Sequence, residues 1–107
     1  MSEAFEVSRI ELYNEFVEKL IKMVVSKKKT NEDTIIGLVQ MKAKFILFAS
    51  EKVLRSFFSF LDYSKTKPID PHKFLDLLAI IVIEMRKDLG VIDTIQPNDF
   101  LGMILKD

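Results

Sequence analysis

The stretch Asp70-Pro71-His72-Lys73-Phe74-Leu75-Asp76-Leu77-Leu78-Ala79-Ile80-Ile81-Val82-Ile83-Glu84-Met85-Arg86-Lys87-Asp88-Leu89-Gly90 decides the fold. Asp70 is a strong helix N-cap. Pro71, at the first helical position, has its φ preset and lacks an amide that would be orphaned there. Gly90 marks the other end, because glycine enters the left-handed conformation after a helix without a Cβ penalty. Arg86 and Lys87 fall in the last turn, where positive charge suits the helix dipole. Between these signals, Leu77 to Ile83 is apolar around the whole circumference, and a helix that is apolar all round is a buried one. The β-branched run Ile80-Ile81-Val82-Ile83 also fits a buried strand, but caps at both ends and a span of about 19 residues favour helix. We therefore expect a buried central helix at about 71–89.

Working outward, Val91 to Gln96 is a loop, and Pro97 opens a short last helix carrying Phe100, Leu101, Ile104 and Leu105. On the other side, Pro68 and Pro71 bracket a turn. Before it, Glu51 to Tyr63 places Val53, Leu54, Phe57, Phe58, Phe60 and Leu61 at helical spacing. Ser50 reads as its N-cap, which bends the chain at Ala49-Ser50; one continuous helix through this point is the alternative. The preceding helix carries Ile35, Ile36, Val39, Phe45, Ile46 and Phe48, with Thr30 or Asn31 as its cap. Ser26 to Asn31 is a polar break. From about Ala4 to Val25, Phe5, Ile10, Tyr13, Phe16, Val17, Leu20, Ile21 and Val24 recur at intervals of three and four. Glu15–Lys19 and Glu18–Lys22 are spaced i to i+4 with the acid first, the favourable order. The result is an all-α fold: one helical domain over 1–107, a bundle of four to five mostly antiparallel helices.

Composition narrows the function classes. The chain has 107 residues, 16 basic and 16 acidic side chains, one histidine and no cysteine. The absence of cysteine leaves no disulfide framework, thiolate nucleophile or cysteine-ligated zinc. Charge balance argues against a general nucleic-acid binder. The acidic start, Met1 to Glu6, lacks the basic and apolar regions of a signal peptide. Leu77 to Ile83, the longest apolar run, falls far short of the roughly 18 residues of a membrane span. A cytoplasmic location is the expectation.

Candidate chemistry is sparse. His72 is the lone imidazole and lies in a first helical turn, where a histidine is usually solvated. Glu11, Glu15 and Glu18 share a helix but lack the Glu-x-x-His partners of a di-iron site. Gly90 stands alone, so there is no phosphate-binding loop. Lys27-Lys28-Lys29 is too short for a nucleic-acid or lipid patch. No catalytic residue, metal site or cofactor is expected. Arg86, Lys87 and Asp88 have two readings: local electrostatics, with Arg86 meeting a carboxylate such as Asp99, or a recognition patch. The aromatic residues carry the strongest signal. Leu54, Phe58 and Leu61 form one stripe, and Val53, Phe57 and Phe60 form another. On the first helix, Phe5, Leu12, Phe16 and Met23 lie beside Tyr13, Val17, Leu20 and Val24. Apolar surface this wide has two readings: the second stripe packs inside the bundle, on the bent second helix, or it forms an interface with another chain, for which Phe5, Leu12, Phe16, Val53, Phe57 and Phe60 are the candidates.

Several short signatures carry a resemblance: Ile10-Glu11-Leu12-Tyr13-Asn14-Glu15-Phe16, Phe48-Ala49-Ser50-Glu51-Lys52-Val53, Arg86-Lys87-Asp88-Leu89-Gly90 and Asp99-Phe100-Leu101-Gly102-Met103-Ile104. Across most of its length the chain resembles a group of uncharacterised bacterial helical domains. These have a Tyr-x-x-Phe helix, a Tyr-Gly-Ser-x-x-Val turn, an Arg-Lys-Asp-Leu-Gly helix end and an Asp-Leu-Leu tail. Phe48 and Ala49 stand here for the Tyr-Gly, and Phe100 for a Leu. Members often carry a preceding membrane span, whereas none is read in this chain. The resemblance implies a helical fold and no particular activity.

The sequence thus leads to a non-enzymatic protein-interaction or assembly domain, with a protein partner or a second copy in a homodimer. The alternative is a small regulatory or defence-associated protein, antitoxin-like or phage-derived, that binds one protein partner. A weaker alternative is a nucleic-acid accessory protein using Lys27 to Lys29.

Overall fold

The computed structural model describes residues 3–25 and 31–105. Its elements, in order, are α1 (Glu3–Val25), α2 (Asn31–Val39), α3 (Lys42–Phe48), α4 (Glu51–Ser64), α5 (Pro71–Asp88) and α6 (Pro97–Leu105). All six elements among the described residues are helices, and the fold is all-α. The chain gathers into two compact units, Met1–Ser50 and Glu51–Asp107.

In the second unit, α5 packs on both α4 and α6. Its boundaries follow from local chemistry. The Asp70 carboxylate accepts the His72 amide at 2.9 Å, and Pro71 occupies the first turn. At the other end Gly90 has φ +91°, the Gly90 amide donates to the Lys87 carbonyl and the Val91 amide to that of Arg86. Those two bonds form a Schellman motif and satisfy carbonyls that a helix end leaves open. Phe74, Leu78, Ala79, Ile81, Val82 and Met85 are buried. Burial is not complete around the helix, contrary to what its composition led us to expect. Ile80 is exposed, while Leu77 and Ile83 are half-buried. With α4 and α6 as its described neighbours, α5 keeps an outward side, on which Lys73 and Lys87 lie along with Ile80. Phe60 of α4 meets Phe74 edge-on, with ring centroids 5.1 Å apart. Ahead of α5, the Asp70 amide donates to the Tyr63 hydroxyl at 2.9 Å, and the Lys73 ammonium lies 4.8 Å from the Tyr63 ring centroid.

In the first unit, α1 packs on α2 and α3. Leu12, Tyr13, Phe16 and Leu20 are buried along one side of α1, as are Leu38, Met41 and Phe45. Phe16 and Phe45 make the central edge-to-face contact, 5.6 Å between centroids. The helix expected through Ile35 to Phe48 is two helices. At the break, the Met41 amide donates to the Leu38 carbonyl, three residues back, at 3.0 Å. This tightened turn accompanies burial of both Leu38 and Met41, and the ladder restarts with the Phe45 amide on Met41. The bend at Ala49-Ser50 is present, with Ala49 extended at φ −73°, ψ 150°. The expected count of four to five helices rises to six through the break at Gln40-Met41. Lys27 to Lys29 and Thr30 lie outside the described residues.

Glycine substitutions separate the two backbone situations. A Cβ on Gly37, inside α2, meets nothing within 4 Å. Gly37→Ala is expected to raise unfolding free energy by about 0.5–1 kcal/mol. Gly90→Ala forces a side chain into the left-handed region and lowers it by about 1–2 kcal/mol. Urea denaturation followed by circular dichroism checks both signs.

Candidate functional site

Of the six residues singled out as an interface, five are interior. Leu12, Phe16, Val53, Phe57 and Phe60 are 0–2% exposed, and Phe5 is half-buried against Phe48, 5.8 Å between ring centroids. On α4, Val53, Phe57 and Phe60 form the core side together with Leu61, and Leu54 and Phe58 remain half-buried at its margin, so the second stripe packs inside the fold and is not an interface. The physical reason is the closeness of α5, whose Phe74 meets Phe60 and fixes which side of α4 turns inward.

The Arg86-Lys87-Asp88 cluster is occupied by local partners. The Arg86 guanidinium pairs with the Asp93 carboxylate, and Lys87 lies 3.6 Å from Glu84. Asp99, the acid expected to meet Arg86, instead accepts the Gln96 amide at 3.2 Å and so caps the start of α6. Asp93 also accepts the Ile95 amide. The Arg86 hydrogen bond, supported by that amide, holds the Asp93 carboxyl below its ordinary range. His72 is exposed, and its amide serves the Asp70 cap. Among the described residues no three of His, Cys, Asp and Glu gather to hold a metal ion, and no helix is long and apolar enough to cross a membrane.

What the pattern reading missed is a further apolar stripe on α1. Val7, Ile10, Asn14, Val17 and Ile21 follow one another by three, four, three and four residues. That is the spacing of a helix–helix seam. Val7, Ile10 and Ile21 are 48%, 53% and 44% exposed; Asn14 is exposed and Val17 half-buried. The stripe stands roughly a third of a turn round the helix from the centre of the buried side formed by Leu12, Tyr13, Phe16 and Leu20. Orientation of α1 is fixed by polar contacts. Arg9 Nε donates to the Phe48 carbonyl at 2.6 Å, its guanidinium lies 5.0 Å from the Phe5 ring centroid, and the Ser50 amide donates to the Tyr13 hydroxyl at 3.2 Å. Glu15 engages Lys44 of α3 at 3.1 Å, and Glu18 accepts from the Asn14 side-chain Nδ2 at 3.2 Å, in place of the anticipated pairs with Lys19 and Lys22. Two open clefts flank α1. One, of about 300 Å³, has Leu12, Phe48, Glu15 and Lys44 in its lining; the other, of about 250 Å³, has Leu20, Leu38, Lys22 and Asp33.

Comparison of the chain with protein-family models, with curated proteins and with solved structures finds no match.

The Arg86–Asp93 pair has a pH signature. Because the folded-state pKa of Asp93 is lowered, its stabilising contribution is present above about pH 4, the unfolded value, and is lost as pH falls through the folded one. Asp93→Asn is expected to lower the melting temperature at pH 7, and the difference from the native chain should shrink on acidification below pH 4. Thermal melts across that range check it.

Proposed function

We propose that this chain is a non-enzymatic protein-interaction domain. One observation carries the proposal: α1 buries one apolar side and holds a second, at seam spacing, in contact with solvent. Scattered apolar residues on a surface are ordinary. An ordered row of them along one helix is different, because each successive residue adds to the same contact line. The polar anchors at Arg9 and Tyr13 support the reading further. They keep the row in place before any partner arrives, which lowers the ordering cost of association. The interface lies on α1 alone in this proposal and does not include Val53, Phe57 or Phe60, which are interior. A cytoplasmic setting accords with the absence of cysteine.

Ile10→Asp tests the reading. Substitution at this exposed position should change folding stability by no more than about 0.5 kcal/mol. Phe57→Ala, in the core, should cost about 3–5 kcal/mol. The native chain should co-purify from its own cell with one protein in stoichiometric amount, and the Ile10→Asp chain should not. Turnover of a small molecule that is lost in His72→Ala would overturn the proposal.

A further inference from the structure

We infer that the exposed stripe of α1 docks an amphipathic helix of another protein, one with lysine or arginine along both flanks of its apolar seam. This rests on the interaction-domain reading and adds the chemistry of the partner.

The stripe suits a helix in length and repeat. From Val7 to Ile21 it runs about 21 Å at the α-helical rise, the length of a four-turn helix. Its alternating steps of three and four let side chains of a second helix seat between its own. Asn14 stands in the middle of the row. A polar side chain there favours a partner with a polar residue at the matching level and so fixes the register.

Charge decides what kind of helix fits. Along α1 from Glu3 to Lys22 there are five glutamates and three cations: Arg9, whose guanidinium is committed to the Phe48 carbonyl, and Lys19 and Lys22 near the C-terminal end. Glu15 is turned toward α3 and neutralised by Lys44. Glu3, Glu6, Glu11 and Glu18 are exposed along the stripe, with Glu6 on one flank and Glu11 and Glu18 on the other. No ion pair engages these four among the described residues. An apolar seam with acidic flanks is complementary to one with basic flanks.

The same charges reject a second copy of this chain. A parallel pair along the stripe would set Glu6 opposite Glu11 of the other helix. An antiparallel pair would set Glu11 opposite Glu18. Both arrangements bring like charges together at the positions that choose partners in helix pairs. An anionic membrane surface meets the same repulsion.

Fluorescence anisotropy with the full chain tests the inference. Three labelled peptides of about 18 residues share one Ile/Leu seam and differ only in flanks of Lys, Gln or Glu. The Lys-flanked peptide should bind about tenfold more tightly than the Gln-flanked one, as expected for several surface ion pairs acting together. The Glu-flanked peptide should not bind. A double substitution, Glu11→Lys with Glu18→Lys, should reverse the preference toward the Glu-flanked peptide, and Ile10→Asp should abolish binding with the helical circular dichroism unchanged. Equal binding of the three peptides, survival of binding in Ile10→Asp, or binding of the stripe to anionic vesicles in place of peptides overturns the basic partner. Concentration-dependent dimerisation lost in Ile10→Asp overturns it in favour of a second copy and leaves the interaction reading standing. A chain that binds no peptide and stays monomeric by light scattering overturns both.

Discussion

The rotation of α1 about its own axis is the constraint on which the first unit depends. Two polar contacts set it, Arg9 on the Phe48 carbonyl and the Ser50 amide on Tyr13. The first binds a carbonyl at the end of α3 and the second an amide just ahead of α4, the two kinds of backbone group that helix ends leave without intrahelical partners. With those contacts made, Leu12, Phe16 and Leu20 turn inward toward a core that includes Phe45. The seam through Ile10 and Ile21 then faces solvent as a geometric consequence. Turning α1 far enough to bury the seam would break both contacts and open the Phe16–Phe45 pair.

The second unit is governed differently, by the termini of α5. Asp70, Pro71 and Gly90 set its ends through local chemistry, and these were legible in the sequence because each acts within a few residues of itself. The bend at Ala49-Ser50 and the start of α6 at Pro97 were legible for the same reason. The break at Gln40-Met41 was not. It carries no proline or glycine, and it arises from the burial of Leu38 and Met41, which is a tertiary demand.

Side selection shows the same division. Periodicity showed that α4 has two apolar sides but not which one α5 would cover, since that depends on where Phe74 is held. On α1 the buried side and the exposed seam together occupy more than half the circumference, so the seam was hidden within a broad apolar pattern. Exposure separates them. Arg86 illustrates the limit for charge: the expectation of a local carboxylate was sound, but Asp93 and Asp99 both lie in or just beyond the loop. The amide at Gln96 claims Asp99, and the guanidinium takes Asp93.

The chain contains two tyrosines and no tryptophan. Tyr13 is in the first unit and Tyr63 in the second, and each hydroxyl accepts a backbone amide, from Ser50 and from Asp70. Each unit therefore carries one tyrosine bonded to its own fold, and tyrosine is excited at longer wavelength than the nine phenylalanines. Replacing Tyr63 with phenylalanine would leave emission from Tyr13 alone, so loss of structure in the first unit could be followed with its own hydroxyl contact intact and without an added label.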